Sequence, residues 1–106
     1  MTETSIASAA LAERAEPVAR RLSLMANPNR LMILCRLAEG EASVGALQNL
    51  VGLGQSALSQ HLAKLRDGGL VATRRDARTI YYRIDDARTE AIMAALYDIF
   101  CRPDAS

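Results

Sequence analysis

The sequence predicts a mainly α-helical domain with one β-hairpin placed before its last helix. Three observations predict this. Apolar residues recur at helical spacing through most of the chain, as in Leu58, Leu62 and Leu65. Only two neighbouring runs, Leu70 to Arg74 and Thr79 to Ile84, read as strands, with Arg75-Asp76-Ala77-Arg78 as the tip between them. Glycines at 40, 52, 54, 68 and 69 fall between the periodic segments and punctuate them.

The elements follow in order. Thr2 or Ser5 fits the cap of a first helix, which runs through an Ala-rich stretch toward Ala15 and is kinked or restarted by Pro17. Val18, Leu22 and Met25 then form one apolar stripe, expected to be buried. Asn27-Pro28 breaks the chain, and Pro28 suits the first turn of a second helix, Pro28 to Ala38, ended by Gly40. Ser43 is placed to cap a short third helix through about Leu50. After the tight turn Gly52-Leu53-Gly54, a fourth helix runs from Gln55 to about Asp67 and closes at Gly68-Gly69. The hairpin comes next, and the last helix runs from about Asp86 to Cys101, before Pro103.

A chain of 106 residues suits one domain, with about 18–101 as its core and 1–5 and 102–106 as loose ends. Half of the residues are hydrophobic and about a quarter are charged, which excludes a disordered chain. With three Tyr, one Phe and no Trp, the core has to be aliphatic. So small a core gains from burying a further face against a second copy. No apolar run approaches the roughly 18 residues that span a bilayer. The first ten residues lack the basic start of a signal peptide. A cytoplasmic protein with Cys35 and Cys101 as reduced thiols is therefore expected.

Net charge is only +1, but it is unevenly spread. Between Lys64 and Arg83 lie six basic and two acidic residues, a net +4 against −3 elsewhere. That pattern fits a phosphate-binding face, and equally a solvated charged loop. The helix before it discriminates further. Leu58, Leu62 and Leu65 turn inward, leaving Ser56, Ser59, Gln60 and Lys64 outward with Ala57 and Ala63 between them. Short hydroxyl and amide groups suit base edges, and small alanines permit close approach to a major groove. Gln55 and Ser56 sit in the first turn, where free backbone N–H groups can meet a phosphate. An ordinary amphipathic helix would look the same by itself. The Gly-containing turn before it and the positive Arg74, Arg75, Arg78 and Thr79 hairpin after it favour a helix-turn-helix with a wing. His61, the single histidine, fits either a phosphate contact or a partly buried edge.

Met25-Ala-Asn-Pro-Asn-Arg-Leu-Met-Ile-Leu-Cys35, Gly54-Gln-Ser-Ala-Leu-Ser-Gln-His-Leu-Ala-Lys-Leu-Arg66, Leu70-Val-Ala-Thr-Arg-Arg75 and Tyr81-Tyr82-Arg83 together resemble the ArsR family of winged-helix repressors. The likeness runs from about Val18 to Cys101. It implies a homodimer joined through the first and last helices, an inverted-repeat double-stranded DNA operator, and an inducer that lowers DNA affinity. It maps Gln55, Ser56, Ser59, Gln60 and His61 onto the recognition helix and Arg75 to Thr79 onto the wing.

Many members bind metals through a Cys pair before the recognition helix or Asp/His sets on the last helix. This chain has neither, and two Cys and one His fall short of the four N/S ligands of a structural zinc. Cys35 and Cys101 remain. Each fits a small hydrophobic filler. Each also fits an accessible edge: the dry face of the second helix is expected at Leu31, Leu34 and Ala38, with Cys35 beside it. The last helix carries two apolar stripes, Ile92-Ala95-Leu96-Ile99 and Met93-Tyr97-Cys101. Arg30-Leu-Met-Ile-Leu-Cys35, Tyr97-Asp-Ile-Phe-Cys101 and Gly52-Leu-Gly-Gln55 resemble the dithiol branch of the family, the sulfide-responsive and biofilm-growth-associated repressors. That likeness implies release from DNA when reactive sulfur species bridge the two thiols. Which thiol attacks first is left open: the dipole at the helix C-terminus opposes an anion at Cys101 and favours Cys35, while Arg102 beside Cys101 favours the other. A metal- or metalloid-responsive repressor using the same thiols and a winged-helix module that binds protein are the alternatives. No nucleophile–base set, phosphate loop or paired catalytic carboxylates suggests an enzyme, and no cofactor is implied.

Overall fold

A computed structural model describes residues 3–103. It contains α1 (Glu3–Glu13), α2 (Ala15–Met25), α3 (Pro28–Ala38), β1 (Ala42–Ser43), α4 (Val44–Val51), α5 (Gln55–Asp67), β2 (Val71–Asp76), β3 (Thr79–Ile84) and α6 (Ala87–Phe100). The mainly helical class with a single hairpin holds. Of the two expected caps, Thr2 lies outside the described residues and Ser5 is already inside α1. So do 1–2 and 104–106 of the expected loose ends, while Glu3 to Ser5 are helical.

Pro17 lacks an N–H, so a continuous first helix would lose the bond to the carbonyl of Glu13. The chain instead breaks at Arg14 (φ −109°, ψ 7°) and restarts with Pro17 in the first turn of α2. Asn27 caps α3, its side chain accepting from the N–H of Asn29 at 2.9 Å and of Arg30 at 3.2 Å. Ser43 caps α4 through the N–H of Ala46 at 3.1 Å, and Gly52 ends it at φ 68°, a left-handed conformation that favours glycine. Past α5 the N–H of Leu70 reaches the carbonyl of Leu65, and that of Gly69 reaches Arg66, both at 3.0 Å. This Schellman closure, with Gly69 at φ 80°, turns the chain directly into β2.

The sheet is antiparallel in the order β1-β3-β2. Sequence reasoning missed β1, whose two residues carry no alternating pattern. They become a strand because Ser43 must be extended to cap α4, which sets Ala42 and Ser43 beside Tyr82 and Tyr81. The hairpin tip is also shorter than the four residues expected. Arg75 pairs with Ile80 and Asp76 with Thr79, leaving Ala77 and Arg78 as the loop, with Ala77 at φ 56°. A two-residue loop with positive φ at its first position suits the twist of the flanking strands, so the ladder runs to its end.

The core gathers Ile33, Leu34 and Leu37 of α3, Leu47 of α4, Leu58, Leu62 and Leu65 of α5, Leu70, and Met93 of α6. Two expected faces are corrected. On α3 the buried residues are Ile33, Leu34 and Leu37, while Leu31 and Ala38 are exposed. The helix is gripped by α4, α5, β3 and α6 together, which rotates its dry face away from the side that periodicity suggested. On α2 only Met25 is buried. Val18 is half-buried and Leu22 exposed, because the helix meets the body through Leu24 and Met25. The two stripes of α6 also divide differently: Met93 is buried in the subunit with Ile92 and Leu96 packed nearby, and Ala95, Tyr97 and Ile99 are exposed.

Candidate nucleic-acid interface and thiol groove

Gly54 begins α5 without a side-chain cap, so the first N–H groups of the helix stay open beside exposed Gln55 and Ser56. Ser59, Gln60 and Lys64 are exposed on the same helix, opposite buried Leu58, Leu62 and Leu65. The amide of Gln48 donates to the carbonyl of Leu53 at 3.4 Å and ties α4 to the turn before α5. His61 is half-buried. Burial, then the charges of Arg30 and Lys64, push its pKa below the ordinary histidine value. Of the two readings the sequence left open, the partly covered edge is what the structure describes, with Arg30 and Lys64 nearby.

The four wing residues do not share one environment. Arg75, Arg78 and Thr79 are exposed, and among the described residues Arg75 and Arg78 form no salt bridge. Arg74 is engaged within the chain. Its Nε donates to both carboxylate oxygens of Glu41 at 2.9 and 2.8 Å, and its Nη2 lies 2.7 Å from Glu41 Oε1. Its guanidinium also stacks 4.5 Å from the centroid of the Tyr81 ring. Glu41 was invisible to local sequence patterns because its partner is a third of the chain away.

Cys35 and Cys101 are both free and exposed. The fold brings them to one groove of about 300 Å³ between α3 and α6, walled by Leu31, Met32, Met93, Leu96, Tyr97 and Phe100. Cys35 also borders a second cleft of about 740 Å³ that carries Glu39, Glu90 and Asp98. The end of α6 bearing Cys101 is set by its other end. Asp86 caps the helix through the N–H of Thr89 at 3.1 Å and accepts from the Thr89 hydroxyl at 2.6 Å. Arg21 of α2 pairs with the same carboxylate and donates to Thr89 Oγ1 at 3.3 Å. Sequence reasoning placed a helix start here but missed the clamp. Among the described residues no group of three or more His, Cys, Asp or Glu is placed to hold a metal, and no helix is long and apolar enough to cross a membrane.

Residues 27–73, which hold α3, the helix-turn-helix and the start of the hairpin, match the family described as bacterial regulatory protein, arsR family. Nodulation protein NolR of Rhizobium meliloti is 57% identical over 88 residues, 83% of this chain and 72% of NolR. The chain belongs to the ArsR family. The biofilm growth-associated repressor of Xylella fastidiosa (strain Temecula1 / ATCC 700964) is 47% identical to this ArsR-family protein over 89 residues, 84% of this chain and 78% of the relative. Among solved structures, the transcriptional repressor BigR from Xylella fastidiosa superposes with a TM-score of 0.81 at 43% identity, covering 96% of this chain and 99% of BigR. The winged helix-turn-helix of the ArsR family is therefore the fold of this transcriptional regulator, with α4 and α5 as the helix pair and β2–β3 as the wing.

Proposed function

We propose that this ArsR-family protein is a homodimeric transcriptional repressor whose grip on an inverted-repeat operator is released when Cys35 and Cys101 are bridged. The observation that carries the reading is the shared groove: two exposed thiols from distant parts of the sequence line one apolar cleft. Support for the repressor comes from relatives named as repressors, BigR among them. Support for the dimer comes from Ile6, Leu11, Leu22, Ile99 and Phe100, large apolar side chains left exposed on α1, α2 and α6. In this reading Ser56, Ser59 and Gln60 meet base edges, while Gln55, Lys64, Arg75, Arg78 and Thr79 meet backbone.

The switch is a thiol exchange. The Cys35 thiolate attacks the outer sulfur of a persulfide RSSH, the S–S bond breaks, RS⁻ leaves, and Cys35 becomes a persulfide. The Cys101 thiolate then attacks the Cys35 sulfur, expelling HS⁻ and closing a disulfide. If Cys101 has itself been persulfidated, the same attack leaves one extra sulfur in the bridge. Tying α6 to α3 alters the placement of two reading heads that must meet half-sites about one DNA turn apart.

The test is a binding titration against a duplex selected by the reduced protein from a random pool, repeated after polysulfide treatment. The native protein loses affinity on treatment. Cys35→Ser and Cys101→Ser each bind the duplex and ignore the treatment. Equal binding by treated and reduced native protein contradicts the switch.

A further inference from the structure

Arg74 and Arg75 are neighbours on one strand of the wing, so their side chains leave opposite faces of the sheet. The face of Arg75 continues that of Tyr82, Ala42, Val71 and Ile84, which is buried at the base of the wing. The face of Arg74 carries Tyr81 directly across the ladder and Ser43 beyond it. Along that outer face the Arg74 guanidinium lies over Tyr81 and crosses β3 to grip Glu41 through both carboxylate oxygens. Glu41 immediately precedes β1, and Ser43 of β1 caps α4. One side chain therefore spans all three strands and joins the outer strand of the wing to the start of the helix-turn-helix. The electrostatics agree with a formed pair: the hydrogen bond from Arg74 leads the effects that hold the Glu41 carboxyl below the usual range, and Glu41 raises Arg74 in turn. A bidentate grip on a phosphate through Nε and Nη2 of Arg74 would have to break its pairing with Glu41.

We infer that Arg74 is a positioning residue: it fixes the angle between wing and recognition helix through Glu41 and Tyr81, and leaves contact with DNA phosphates to Arg75 and Arg78. The inference rests on the DNA-binding reading above and divides labour within it.

Two mechanisms for Arg74 give opposite results with its partner. Each arginine that neutralises a phosphate contributes about 0.9 to the slope of log affinity against log salt. The measurement is fluorescence anisotropy with the reduced protein and its selected duplex across a potassium chloride series. Arg75→Ala lowers the magnitude of the slope by about 1 per subunit. Arg74→Ala leaves the slope at the native value while affinity falls about threefold to tenfold at every salt concentration. Glu41→Gln weakens binding to the same extent, and Arg74→Ala with Glu41→Gln is no worse than either alone. The exchanged pair Glu41→Arg with Arg74→Glu recovers part of the loss. A slope change for Arg74→Ala equal to that of Arg75→Ala overturns the inference. So does tighter binding by Glu41→Gln, which is what a phosphate-seeking Arg74 freed from its partner would give. Failure of the native protein to select any duplex is a separate result and removes the DNA-binding reading itself.

Discussion

Replacing Asp86 by alanine tests how α6, and with it Cys101, is held. The carboxylate caps α6 and receives the hydroxyl of Thr89, a residue with no solvent exposure. Loss of the cap costs about 1 kcal/mol. Leaving the Thr89 hydroxyl without this acceptor costs about 1–3 kcal/mol more. Arg21, with 24% of its side chain exposed, turns to water and adds little. The expected destabilisation is about 2–4 kcal/mol, or a fall in Tm of about 10–20 °C for a domain of this size. Urea unfolding at fixed protein concentration measures it, since the stability of the proposed dimer would depend on concentration. Asp86→Asn separates the contributions, because asparagine also caps and accepts, so it costs about 1 kcal/mol or less. Acid acts on the same carboxylate. Burial alone would raise the Asp86 pKa, but the Thr89 hydroxyl and amide and then Arg21 outweigh it and hold it below the ordinary carboxylate value. A depressed folded-state pKa stabilises fully above the unfolded value of about 3.9 and is lost as pH falls through the folded value. The advantage of the native protein over Asp86→Asn should therefore shrink as pH drops from about 5 toward 3. A cost below about 1 kcal/mol for Asp86→Ala, or an advantage over Asp86→Asn that does not change in acid, refutes the clamp.

Leu47 is fully buried at the centre of α4, so Leu47→Ala should cost about 2–5 kcal/mol in the same urea assay. At Gly52 a Cβ meets no atom, yet φ 68° strains any L side chain. Gly52→Ala should therefore cost about 1–2 kcal/mol despite open space, measured by thermal unfolding. Gln60→Ala should remove about 1–3 kcal/mol of discrimination between the selected duplex and its single-base variants; an equal loss on every sequence contradicts base reading.

Much of this was legible in the sequence because local signals agreed. Asn27-Pro28, Ser43, Gly52 and Gly68-Gly69 each start or stop a helix by local chemistry, and α3 and α5 run over the residues those signals imply. The outward set on α5 followed from three leucines. What escaped was non-local. Nothing around Arg74 marks Glu41 as its partner, and nothing around Arg21 points to Asp86. The dry face of α3 depends on which neighbours surround it, so periodicity chose Leu31 and Ala38 where packing chose Ile33 and Leu37. The approach of Cys35 and Cys101 to one groove likewise depends on how α3 meets α6; residue types suggested it only through likeness to a family branch.

The most direct test of the thiol switch is peptide mass mapping of the single-chain species, separated under denaturing conditions without reductant after polysulfide treatment of the native protein. The thiol switch predicts one linked species joining the peptides that contain Cys35 and Cys101, with zero or more extra sulfur atoms, within a single chain. Persulfides on the two cysteines that never join, or links only between different chains, would contradict it.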